Sequence, residues 1–113
     1  MELLIQNEVE NRLKRFTPIC PIAEIPDGRG ITRFIDDKMI ALFREGDRVF
    51  ALSGRCTHEG APLGRGRIEN GEVVCPLHHW KFSLETGACS TFPGRDVERY
   101  ECDIREGIVW IKI

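Results

Sequence analysis

The spacing of apolar positions changes once along the chain. Over residues 2–14, Leu3, Ile5, Val9 and Leu13, followed by Phe16, fall near helical spacing with Glu, Asn, Lys and Arg between them, which predicts a short amphipathic helix. Such a stripe ordinarily packs on a core, and a docking or dimer contact is the alternative it offers. Pro18 and Pro21 then confine Phe16–Ile22 to an edge-like extended segment, because proline cannot donate to a central ladder. From Gly30 the pattern becomes short runs rich in β-branched and aromatic residues, Ile31–Ile35, Met39–Arg44 and Arg48–Ser53, divided by Asp36-Asp37 and Glu45-Gly46-Asp47. Asn70-Gly71 is a two-residue hairpin signal joining Gly66–Glu69 to Glu72–Cys75. Lys81–Leu84 and Ala88–Thr91 read as a further short pair around Glu85-Thr86-Gly87. Val97–Arg105 and Gly107–Ile113 read as a closing hairpin, with Tyr100, Cys102 and Ile104 facing Val109, Ile111 and Ile113. Regularly spaced strands without intervening helices predict an all-β fold, an antiparallel sandwich or small barrel.

Length and charge narrow the function classes. At 113 residues and 42% hydrophobic content the chain supports one modest core and no second catalytic domain. A formal charge of -2, with acids and bases interspersed, provides no basic stripe for nucleic acid and no case for a membrane surface. Met1–Glu10 has acidic residues, no basic start and only Leu3-Leu4-Ile5 as an apolar run, so neither a signal peptide nor a membrane span is expected, and the expected compartment is cytoplasmic. Five cysteines, an odd number, suit a reducing compartment better than a disulfide scaffold; Cys20, Cys89 and Cys102 read as small buried hydrophobes.

The remaining cysteines belong to a distinct constellation: Cys56-Thr57-His58, sixteen intervening residues, then Cys75-Pro76-Leu77-His78. Each pair brings one thiol and one imidazole, a combination suited to zinc or to an iron–sulfur cluster. A structural Cys2His2 zinc site more usually keeps like ligands together. At Cys-x-His, alternate side chains of an extended chain point to opposite faces, which is awkward for one small ion and easier for a two-iron core that takes the Cys on one iron and the His on the other.

The segments CTHEGAPLG and CPLHHWKF resemble the Rieske family, in which two Cys hold one iron of a [2Fe-2S] cluster and two His hold the other. The resemblance covers about Phe16 to the C-terminus. It implies a Rieske [2Fe-2S] domain over residues 16–113, with a cluster-binding subdomain of two loops, behind a helical extension over residues 1–15. It further implies one cluster per chain, with Cys56 and Cys75 on the inner iron and His58 and His78 on the outer one. Phe92-Pro93-Gly94 resembles the family's third, proline-containing loop over the cluster; a plain turn is the alternative. Trp80 is expected to pack under the second ligand loop, and Glu59 and Arg65 read as solvated charges able to shape docking. His79 stands where many relatives have glycine, which raises the question of whether that turn has positive φ; an exposed side chain is expected, a surface contact or proton relay being the alternative.

Neutral imidazoles leave the oxidised core without net charge, whereas four thiolates would leave it doubly negative. The family range is accordingly about -150 to +300 mV, against about -400 mV for all-cysteine plant-type clusters. The high-potential members of respiratory complexes add a Cys in each ligand loop and Ser and Tyr hydroxyls near the cluster. This chain carries Ala61, Leu77, Trp80 and Phe82 there, which implies the low-potential, ferredoxin-type end.

The expected function is a one-electron carrier from a flavin reductase to an oxygenase or related oxidoreductase. The chain itself is not expected to be an enzyme: it has three His, two of them already assigned, too few for a mononuclear 2-His-1-carboxylate iron, and no GxGxxG-type loop for a nucleotide. A second reading is the small subunit of an NAD(P)H-dependent nitrite reductase. A third, from another class, is a structural Cys2His2 zinc-binding module.

Overall fold

In the computed structural model, residues 16–113 are described, and nine strands account for about half of them: β1 (Phe16–Pro21), β2 (Gly30–Ile35), β3 (Lys38–Glu45), β4 (Arg48–Ser53), β5 (Arg67–Glu69), β6 (Glu72–Val74), β7 (Lys81–Ser83), β8 (Arg99–Arg105) and β9 (Ile108–Lys112). The helix expected over residues 2–14, and with it the 1–15 extension, lies outside the described residues. The first six-stranded sheet, in the order β1-β9-β8-β4-β3-β2, curls into a nearly closed antiparallel barrel; β5-β6-β7 form a separate three-stranded sheet. This is the predicted all-β architecture.

The uninterrupted apolar run on β3 follows from burial on both of its faces. Ile40 and Leu42 enter one core with Cys20, Ile25, Ala51, Tyr100, Val109 and Ile111. Their neighbours Ala41 and Phe43 point the other way, into a second core with Leu52, Leu63, Val73, Phe82 and Leu84. That second core joins the barrel to the small sheet, and it contains Cys56 and Cys75. The ligand-bearing loops therefore rest on packed side chains rather than projecting freely.

Local pairings follow the turn chemistry. Asn70 and Gly71 both have positive φ (50° and 77°), the backbone a tight two-residue hairpin demands, and they pair Glu69 with Glu72. The proline-bearing segment is an edge strand, with an irregularity between Pro18 and Cys20. In the closing hairpin Cys102 faces Ile111 and Ile104 faces Val109, as the alternation requires, although Ile104 and Ile113 at its ends remain exposed.

Ala88–Thr91 departs from expectation and forms only an isolated bridge, Phe82 to Cys89. The Ser83 N–H still donates to the Ala88 carbonyl and the Ser90 N–H to the Lys81 carbonyl, but side chains take the neighbouring donors: the Lys81 N–H donates to Thr91 Oγ1 (2.9 Å) and the Cys89 N–H to Asp96 Oδ1 (2.9 Å). Val97 and Glu98 precede β8 rather than open it, because the chain is crossing between sheets: the Val97 N–H donates to Gly87 and the Glu98 carbonyl accepts from Ser53. Two 3-10 turns, Ile22–Glu24 and Leu63–Arg65, have no counterpart in the periodicity.

Gly66 closes the first ligand loop where it runs against β6. A Cβ there would collide with the Val74 carbonyl oxygen and lie 2.8 Å from Val73 Cγ2, and backbone cannot retreat as a flexible side chain can. Gly66→Ala is expected to cost about 1–3 kcal/mol, as overpacking generally does, read as a lower denaturant midpoint at unchanged slope. An unaltered midpoint would contradict so close an approach.

Candidate metal centre

The two loops close in the same way although their sequences differ. In the first, between β4 and β5, the Cys56 N–H donates to the Ala61 carbonyl and the Gly60 N–H returns to the Cys56 carbonyl, both at 2.9 Å. In the second, between β6 and β7, the Cys75 N–H donates to the Trp80 carbonyl (2.7 Å) and the His79 N–H returns to the Cys75 carbonyl (3.0 Å). Each turn needs a left-handed residue four places after its cysteine: Gly60 has φ 72° and His79 φ 62°. The second loop thus places a histidine in the conformation glycine fills in the first, so that turn does have positive φ.

The closure sends each cysteine inward and the following residues out. Cys56 and Cys75 are buried, at 3% and 1% exposure, while the side chains of His58 and His78 remain 33% and 46% exposed. Cys75 lies close enough to Cys56 to influence its ionisation, and the two rings meet edge to face with centroids 4.6 Å apart. The four side chains named from the sequence therefore converge from opposite loops as a buried sulfur pair and an outer imidazole pair. His79, beside them, is exposed.

Burial pushes the Cys56 thiol up to about 11, and the neighbouring Cys75 adds to the effect, against the N–H groups of His58 and Glu59, which favour the thiolate. Near neutral pH the bare site holds a protonated Cys56, and a bound cation is what would draw that proton off. Two thiolate sulfurs and two imidazole nitrogens are a chemically sound donor set for a [2Fe-2S] core of the mixed-ligand kind, with Cys56 and Cys75 below and His58 and His78 above.

Three neighbours complete the centre, and spacing alone did not single out their roles. Trp80 lies parallel to the His58 ring, 4.4 Å away with an interplanar angle of 7°, and Phe92 packs on its other side at 4.4 Å. Trp80 thus serves as a wall for a candidate ligand in addition to packing against the core. Phe92 brings the Phe92-Pro93-Gly94 loop beside the site, and Thr57 Oγ1 donates to the Arg95 carbonyl (2.6 Å), tying that loop to the first. Glu59 reaches both rings, with Oε2 3.3 Å from His78 Nε2 and Oε1 4.0 Å from His58 Nε2. The sequence signalled a charge at Glu59 but not its direction.

Comparison with known proteins agrees with this geometry. A family model described as Rieske [2Fe-2S] domain matches residues 15–101. The 3-phenylpropionate/cinnamic acid dioxygenase ferredoxin subunit of Shigella flexneri is 33% identical over 96 residues, covering 83% of this chain and 90% of that protein. Methylxanthine N1-demethylase NdmA of Pseudomonas putida is 27% identical across 100% of this chain, which spans only 36% of that longer protein. Among solved structures, the ferredoxin of carbazole 1,9a-dioxygenase from Nocardioides aromaticivorans superposes with a TM-score of 0.80 at 25% identity, over 86% of this chain and 96% of that one. A putative NADH-dependent nitrite reductase small subunit from Mycobacterium tuberculosis also reaches 0.80, at 27% identity, over 87% and 94%.

The left-handed His79 provides a test of the repeated loop closure. His79→Gly is expected to leave metal content and midpoint potential unchanged and to raise unfolding stability by up to about 1 kcal/mol, since glycine adopts this backbone without a Cβ clash. Loss of metal from that variant would show His79 to be part of the centre.

Proposed function

The chain belongs to the Rieske [2Fe-2S] family, and we propose that it works as a one-electron carrier, taking electrons from a flavin-dependent reductase and passing them to an oxygenase or related oxidoreductase. The observation that carries this reading is the layered site, a buried thiol pair beneath an exposed imidazole pair. Cys56 and Cys75 would hold the inner iron, and His58 and His78 the outer one, with one cluster per chain. When bound, the cluster supplies a centre that takes up and releases single electrons.

The chain's own residues supply the rest. The outward edges of His58 and His78 offer a short path to a docked partner, and Leu77 and Phe92, each 49% exposed, are apolar contacts beside them. Apolar packing around the thiols excludes water from the sulfur side. The ferredoxin subunits among the relatives support transfer to an oxygenase; the flavin reductase is inferred from the need for a donor, because the sequence has no nucleotide loop of its own. Among the described residues no helix is long and apolar enough to cross a membrane, and all five cysteines are free, which fits a cytoplasmic carrier.

A second reading, the small subunit of an NAD(P)H-dependent nitrite reductase, is favoured by the superposition on the putative subunit of that kind. Co-purification with a large sirohaem-containing protein would decide for it. The zinc-module reading requires a colourless protein with one zinc and no acid-labile sulfide.

The proposed carrier should instead be red-brown, contain two iron and two sulfide per chain, and show a reduced-state EPR signal. Its midpoint, by protein-film voltammetry, is expected toward about -150 mV, and a value above zero would contradict the low-potential reading of Trp80 and Phe82. His78→Cys adds a thiolate charge and is expected to lower the midpoint wherever the cluster still assembles; an unchanged or higher value would count against the charge argument.

A further inference from the structure

Glu59 follows His58 directly, yet its closer contact is with His78, nineteen positions away on the other loop, at 3.3 Å. Its two oxygens face the Nε2 atoms of both rings, and the three potential ligating atoms of His58, Glu59 and His78 lie within 4.8 Å of one another. One carboxylate thus spans the outer side of the pair. With Nε2 of each ring turned to that carboxylate, Nδ1 would be the nitrogen available to a bound iron. A metal-bound histidine ordinarily donates its other N–H to such a group, which makes the imidazole a stronger donor to the metal.

We propose that Glu59 sets the redox potential of the group held by His58 and His78, lowering it by presenting one carboxylate to the outward nitrogens of both rings. This rests on the one-electron-carrier reading above. Two effects act in the same direction. A negative charge beside the outer iron would oppose the arrival of an electron, and stronger donation from His78, whose Nε2 is the one within hydrogen-bond reach of Glu59, would favour the ferric state. At 53% exposure the Glu59 side chain is partly screened by solvent, so the effect is smaller than that of a buried charge and weakens as salt is raised.

The test is a charge series on the iron-loaded protein at fixed pH and ionic strength, with cluster integrity monitored by reduced-state EPR. Glu59→Asp keeps the charge and is expected to stay near the wild-type midpoint. Glu59→Gln is expected to raise the ratio of reduced to oxidised protein at a given potential by up to about tenfold, equivalent to about 59 mV, and Glu59→Lys to raise it further. Leu52 pairs with Arg99 at the start of β8, next to the strand end that enters the first ligand loop; Glu106 lies beyond the far end of β8, so Glu106→Gln is a control for charge alone and should leave the midpoint in place.

Gln and Lys variants that retain the EPR signal but show the wild-type midpoint would overturn the inference. So would failure of either to assemble a cluster, because Glu59 would then be a structural clamp. A wild-type protein holding zinc instead of iron would overturn the carrier reading itself, an outcome distinct from an iron-loaded series with unmoved potentials.

Discussion

The centre depends on a backbone closure made twice. In each loop a cysteine N–H is bound five residues ahead, and the cysteine carbonyl accepts from four residues ahead. The closure buries the thiol and turns the next few side chains toward solvent. Its spacing tolerance explains how Cys-x-His and Cys-x-x-His reach one place: the turn fixes the cysteine, and the histidine leaves from either of two outward positions. Bringing the turns face to face is the task of β5, β6 and β7, where the Asn70-Gly71 hairpin permits no register slip between them.

That closure also explains what could be read from the sequence. Hairpins with local turns, β2 to β3, β3 to β4, β5 to β6 and β8 to β9, follow from alternation and turn residues, and they match. The pairings β1 to β9 and β4 to β8 join distant parts of the chain and leave no local signal, because they depend on burial of Ile111, Val109 and Tyr100 in a shared core. Ala88–Thr91 misled because Thr91 is a good strand former whose hydroxyl here accepts the Lys81 N–H as a side-chain partner. At the site, sulfur and nitrogen ligand types with their spacing were legible. The direction of Glu59 and the stacking of Trp80 were not, since both depend on the left-handed turn residues that orient each loop.

Burying the thiols has an electrostatic consequence. Cys56 and Cys75 share a core with Phe43, Leu63 and Phe82, an environment poor at solvating charge, and the raised Cys56 pKa is the result. Packing and metal binding are therefore coupled: the apolar surroundings that stabilise the bare fold also keep Cys56 protonated. In the proposed carrier the same surroundings keep water from the sulfides, and Trp80 and Phe82 supply none of the hydroxyl donors that would favour reduction.

The two histidines are not equivalent, and the difference bears on where a partner approaches. His58 has Trp80 flat against one face and Phe92 behind that indole, so reorienting its ring would break a stacked aromatic contact. His78 meets His58 only edge to face and is the more exposed of the two. Its loop carries Leu77, while Phe92 lies on the aromatic side of the pair, so apolar contacts flank both rings. In the proposed carrier a partner seated over the centre would cover Leu77 and Phe92 together and meet His78 first, with Glu59 on the outer side of the rings as a charge it must pair or leave solvated. That carboxylate would be one charge by which partners of the proposed carrier are told apart, because the apolar contacts reward any complementary surface.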